Sequence, residues 1–223
     1  MRTYEEILDL AADRKGGRAA VLADMPPVLD ADALAAIPDD RWLAQMARGI
    51  FQAGISWQVV ENKWPGIEEA FHGFDVGRAA MMSEDWFDDL LADPRIVRSP
   101  PKVQAIQQNA VFIQEVAAEA GSFGRKVGDW PAEDFAGLLD WMKTNGARLG
   151  GATGAYTLRF LGKESYIMSP SVVARLVAEG VVDKAPTSKR AMQAVQAAFN
   201  TWKDQSGENL TVISRVLAQS VDA

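Results

Sequence analysis

Helix-start signals recur along this chain roughly every 12 to 20 residues, while the alternating pattern of a half-buried strand is almost missing. That feature restricts the chain to an all-α fold with short loops. Asp75, Ser83, Ser169 and Thr187 are N-cap residue types, and Pro65, Pro101, Pro131 and Pro170 suit a first helical turn, where the missing N–H has no partner to lose. The pattern predicts helices over 3–13, 31–36, 39–52, 56–63, 65–72, 75–82, 83–91, 101–120, 131–143, 151–160, 169–179, 187–203 and 210–219. Residues 16–30 read as a linker and 121–129 as a loop joining two halves. The expected organisation is an N-terminal helix and linker, 1–30, followed by one helical domain, 31–223.

Composition narrows the chemistry. The chain has 223 residues and is 48% apolar, which supports one large helical domain or two lobes. No run approaches the ~18 uninterrupted apolar residues of a membrane helix, and MRTYEEILDLAADRKGG has no secretory apolar region, so a cytoplasmic protein is expected. The absence of cysteine excludes disulfides, thiolate-held zinc or iron–sulfur centres and a cysteine nucleophile. A single histidine, His72, removes most other transition-metal options, so neither metal nor cofactor is expected.

The net charge of −7 argues against a broadly basic nucleic-acid coat, but the charge is unevenly distributed. Lys143, Arg148, Arg159 and Lys163 lie in an acid-free window, as do Arg95, Arg98 and Lys102. An acidic protein can still hold a polyanion at such places. The first window contains NGARLGGATGAY, residues 145–156. A glycine-rich turn between helices lets backbone N–H groups approach a phosphate without Cβ interference, and the next helix adds its positive N-terminal end. The same turn is also compatible with a plain tight helical hairpin.

Longer motifs connect this turn to a family. FQAGISWQVVENKWPGIEEAFHGFD, followed by RIVRSPPKVQAIQQNA, resembles the bacterial 3-methyladenine DNA glycosylase I family, which carries QAG-[LI]-SW, AFHxFD and IxRxxxKIxAxxxNA at matching spacing. LGGATGAYTLRFLG resembles the helix-hairpin-helix element of the wider DNA glycosylase superfamily. The resemblance covers about residues 39–163. It implies a two-lobed all-α DNA glycosylase fold with a cleft between the lobes, acting as a monomer on double-stranded DNA that contains alkylated bases. Such an enzyme flips an alkylated purine out of the duplex, stacks it on aromatic rings and hydrolyses its N-glycosidic bond. By the same resemblance Trp57 stacks the base, and Gln52, Ser56 and Gly49 line its pocket. Leu149, Gly150, Gly151, Thr153 and Gly154 of the hairpin, with Arg148, Arg98 and Lys102, approach the DNA backbone.

The chain departs from the family where catalysis is concerned. The family's pocket glutamate, eight residues before the motif tryptophan, is here Gly49, and the superfamily's aspartate after the hairpin falls at Ser169 or Pro170. Glu61 lies one helical turn after Trp57 on the same face and is the candidate catalytic carboxylate; its other reading is a solvated residue paired with a neighbour. The family's zinc site, built from cysteines and histidines near the termini, has no counterpart here. Trp64, next to Pro65 where the helix is expected to break, reads as a packing wedge; His72 reads as a packing or surface residue, and Asp39 and Asp40 as helix N-caps. Two main function readings stand: a monofunctional glycosylase for alkylated purines, and a DNA-binding or lesion-recognition protein of the same fold without that activity. A helical interaction module that binds no nucleic acid is the third.

Overall fold

The structure is a computed structural model and describes residues 1–221. Those residues are helical with no strand. In chain order the helices are α1 Tyr4–Lys15, α2 Arg18–Leu22, α3 Ala31–Ala35, α4 Asp39–Gln52, α5 Trp57–Ala70, α6 Val76–Ala80 and α7 Glu84–Ala92. They continue as α8 Pro100–Ala120, α9 Phe123–Gly128, α10 Phe135–Asn145, α11 Ala152–Phe160, α12 Pro170–Ala178, α13 Lys189–Ser206 and α14 Leu210–Gln219. Among the described residues no helix is long and apolar enough to cross a membrane.

Most starts are set by local chemistry. Thr3 and Glu6 form a reciprocal capping box on α1, and Asp75, Ser83 and Ser169 accept the N–H two to three residues into their helices. Two expected caps differ. Ser188 rather than Thr187 caps α13, and Pro38 precedes α4, leaving Asp39 free to accept the Phe123 N–H at the start of α9. Burial raises the Asp39 carboxyl above its usual range, with the Phe123 N–H opposing that rise.

The chain forms two compact units, each built from separated segments. The first comprises 1–28, 131–137 and the chain from Gly162 onward. Here α1 packs on α2, α13 and α14, and α12 packs on α14. Ile7, Ala11, Val21, Trp202, Ile213 and Val216 are buried, and Phe135, Tyr166, Phe199 and Trp202 form a chain of ring contacts. The N-terminal segment is therefore no separate piece: the apolar face of α1 is completed by helices from the far end of the chain. A buried carboxylate, Glu179, accepts from the Arg2 backbone and guanidinium and from Arg175, which in turn binds Ser220.

The second unit comprises 29–130 and 138–161, so α10 begins in one unit and continues in the other. Its central helix is α4, which packs on α5, α8, α9 and α11. The expected loop at 121–129 contains α9, because Phe123 is wholly buried in contact with Trp42, Phe112 and Trp141. Gly124 makes this possible: a Cβ there would stand 2.2 Å from the Leu34 carbonyl oxygen. Likewise 18–22 is helical rather than linker, with Val21 buried.

The break expected at Pro65 does not occur, and α5 runs through it. Proline deprives the Glu61 carbonyl of its helical donor, but packing holds the helix together. Trp64 stacks on Phe74, Phe74 stacks on Phe71, and the Arg48 guanidinium lies over the Trp64 ring at 4.2 Å. The turn that brings Phe74 into this column is left-handed at His72, Gly73 and Phe74, with φ of 52°, 70° and 63°. Trp64 is thus a packing residue, as its sequence position suggests.

Candidate nucleic-acid interface

The second unit brings together the end of α4, the start of α5 and the hairpin between α10 and α11. Helix α4 ends at Gln52, and Gly54, at φ 77°, turns the chain so that α5 begins at Trp57. Ser56 precedes α5 but makes no side-chain cap and is exposed. Trp57 is 50% exposed, an unusual position for so large a ring. It meets Tyr156 and Phe160 edge-on at centroid distances of 5.9 and 5.8 Å, and those two rings stack on each other at 5.6 Å. Phe160 is also half-exposed. Tyr156 and Phe160 escaped the sequence reading, although their i, i+4 spacing on the helix after the glycine turn places them on one face.

The hairpin is tight for steric reasons. Gly151 precedes α11 at φ 62°, and a Cβ on Gly154 would stand 2.3 Å from the Leu149 carbonyl oxygen. Leu149 itself is buried, so its side chain anchors the turn and only its backbone remains to meet a ligand. Arg148 is exposed at φ 58°. The turn is clamped from α8: Asn109 donates Nδ2 to the Ala147 carbonyl at 3.0 Å and accepts the Ala147 N–H on Oδ1 at 2.8 Å. Asn109 lies in the second sequence motif, but a mid-helix asparagine carries no signal of that task.

Gly49 marks the closest approach of α4 to α11. A Cβ there would lie 3.1 Å from the Thr153 methyl and 3.6 Å from Thr157 Oγ1, while Thr157 donates to the Thr153 carbonyl. Thr153 is therefore packed against α4. Beside this contact sits a polar cluster: buried Gln52 donates Nε2 to Glu61 Oε1 at 2.9 Å, and Arg48 pairs with the same oxygen at 3.6 Å. Glu61 is thus engaged by two partners on α4.

The basic residues divide. Lys102 donates Nζ to the Phe51 and Ala53 carbonyls at 3.0 and 2.7 Å, so the ammonium expected at the DNA backbone is tied to the end of α4. Partial burial, then the nearby Arg148 charge, lowers the Lys102 pKa. Arg98 is exposed and donates to the Ala92 carbonyl at 3.3 Å. Arg95 is paired with Asp93 and Glu69, and Arg159 and Lys163 are buried. Lys143 and Arg148 are the exposed cations of the first basic window. His72 is on the surface against Trp86, at 4.9 Å between rings, and no group of three or more His, Cys, Asp or Glu that could hold a metal occurs among the described residues. The donor set does not fit the zinc site of the family named by the sequence motifs.

Comparison with known proteins agrees with those motifs. The family model described as methyladenine glycosylase matches residues 37–133. DNA-3-methyladenine glycosylase 1 of Escherichia coli (strain K12) is 41% identical over 59 residues, covering 26% of this chain and 32% of that protein. The chain thus matches about a third of the length of that relative. A crystal structure of 3-methyladenine DNA glycosylase I aligns over 65% of this chain and 87% of its own at 25% identity, with a TM-score of 0.50. The 3-methyladenine DNA glycosylase I from Staphylococcus aureus aligns over 64% and 82% at 22% identity, with a TM-score of 0.51. The chain has the all-α fold of these glycosylases. The matched segment holds Gly49, Gln52, Ser56, Trp57, Glu61, Arg98 and Lys102, whereas the hairpin and its two rings lie beyond it.

Proposed function

We propose that the protein is a monofunctional DNA glycosylase of base-excision repair, hydrolysing the N-glycosidic bond of alkylated purines such as 3-methyladenine in double-stranded DNA. The Trp57–Tyr156–Phe160 cluster beside the glycine hairpin, with Trp57 and Phe160 half-exposed, carries this reading. An extruded alkylated purine is flat and cationic, and aromatic faces attract such a group by stacking and by their negative quadrupole. The methylated base is already a good leaving group, so catalysis needs orientation and stabilisation of positive charge on the sugar more than proton transfer. We assign that electrostatic role to Glu61, whose orientation is set by Gln52 and Arg48. Gln52, Ser56 and the Gly49 backbone are assigned to the rim of the base site. Backbone N–H groups around Gly150, Gly151 and Thr153, with Arg148 and Arg98, take the DNA phosphates.

Incubation with alkylated duplex DNA should release free methylated base. Trp57→Ala should slow release by roughly 5- to 150-fold, the size of one lost base–aromatic stack of about 1–3 kcal/mol. The packing at Gly49 favours a second reading, because Thr153 and Thr157 fill the place from which a side chain on α4 would act. A lesion-recognition protein of the same fold would bind alkylated duplex with steep salt dependence and release nothing. Failure to bind duplex even at low salt would overturn both readings.

A further inference from the structure

Two side chains of α8 hold the two loops to which these roles are assigned. Lys102 bonds the Phe51 and Ala53 carbonyls, at the end of α4 and the start of the loop that delivers Trp57. Asn109, wholly buried, satisfies both backbone groups of Ala147 in the hairpin. Both residues bind backbone, so they fix the course of a loop rather than the pose of one side chain. Seven positions separate them, which is about two helical turns, so they share one face of α8 roughly 10 Å apart along its axis.

The position of Lys102 carries a physical cost that something must offset. It lies in the first turn of α8, where the helix dipole disfavours a cation, and its ammonium is partly withdrawn from water near Arg148. The offset comes from α4, whose last carbonyls lack helical donors and attract positive charge. A lysine whose task was only to meet a phosphate has no need of these two carbonyls. Asn109 shows the same economy, since one amide closes the donor and the acceptor of a single loop residue.

We propose that α8 is a positioning strut: Lys102 sets the Trp57 loop, Asn109 sets the hairpin loop, and the rigid helix between them fixes the offset of base-stacking ring from backbone grip. The proposal rests on the interface reading above. It assigns the two residues different effects, because one loop acts on the extruded base and the other on the undamaged backbone.

The test combines three measurements on the full chain: amide exchange without DNA, affinity for an undamaged duplex and for the same duplex with an abasic-site analogue, and single-turnover release from alkylated duplex. Lys102→Met should speed exchange at 53–57 and leave it unchanged at 147–151. It should also preserve undamaged-duplex affinity and slow release roughly 10- to 100-fold, as expected for a misplaced reacting geometry. Lys102→Arg, which keeps a cation for the two carbonyls, should recover most of the release. Asn109→Ala should speed exchange at 147–151 and weaken both duplexes alike; if that variant does not fold, Asn109→Asp, which keeps the acceptor for the Ala147 N–H, gives the same comparison. Parallel loss of affinity and release in Lys102→Met would make Lys102 a phosphate contact and overturn the strut, as would exchange that rises in neither loop. If the unaltered protein releases no base, excision fails by itself, and the strut still requires Lys102→Met to lower the ratio of abasic to undamaged affinity.

Discussion

At the scale of single residues, Gly49 shows how one position serves packing and chemistry at once. The motif resemblance implies a carboxylate at this position; the structure places Gly49 where α4 and α11 come closest, against the Thr153 methyl at a prospective 3.1 Å. Adding a side chain gains helix propensity of about 0.5–1 kcal/mol and costs a comparable overpacking strain. The two effects oppose, so Gly49→Ala alone should change stability little. Combined with Thr153→Ser, which removes the methyl, it should be more stable than the sum of the single changes by about 1 kcal/mol, measured by urea unfolding in a double-mutant cycle. Additive effects would show that the Thr153 contact is not what holds Gly49 small. Lys102 gives the opposite lesson. Its charge suggested a phosphate partner, but its ammonium is bound to Phe51 and Ala53 carbonyls that no sequence pattern could associate with it.

At the scale of elements, helix types were legible and helix limits were not always so. Caps and first-turn prolines located α6, α7 and α12 because those signals act within four residues of the chain. The same rules failed at Pro65, because the Trp64–Phe74–Phe71 column and Arg48 stabilise a helix that proline locally disfavours. Pro65→Ala should therefore restore the missing donor to the Glu61 carbonyl and raise stability by about 1–3 kcal/mol in denaturant unfolding. A loss of stability would mean that α5 is bent to fit its neighbours by that proline. Helix α9 was missed for a related reason: its six residues carry weak local signals, and Phe123 becomes a core residue only when Trp42, Phe112 and Trp141 surround it.

At the scale of the whole molecule, two units are assembled from interleaved segments, and in one of them α1 packs on α13 and α14. Glu179 is central to that closure. Burial alone would raise its carboxyl, but hydrogen bonds from Arg2 and Arg175 outweigh burial and hold it below the usual carboxylate range. A depressed folded-state pKa adds stability above the unfolded value near 4.5, and that stability is lost as pH falls through the folded value. Glu179→Gln should cost roughly 3–5 kcal/mol near neutral pH, because it leaves buried Arg175 without its counter-charge, and should flatten the acid limb of a stability–pH profile. An unchanged acid limb would place the acid-sensitive group elsewhere. The sequence by itself determined the all-α class, most helix starts and the motifs of the resemblance, since each depends on contacts within a few residues or on a contiguous motif. Only the tertiary structure decided that Tyr156 and Phe160 join Trp57, that Asn109 clamps the hairpin, that Lys102 faces carbonyls and that Glu61 is held by Gln52 and Arg48. Those pairings join helices distant in sequence, and their energies come from burial and hydrogen bonds that exist only once the helices have packed.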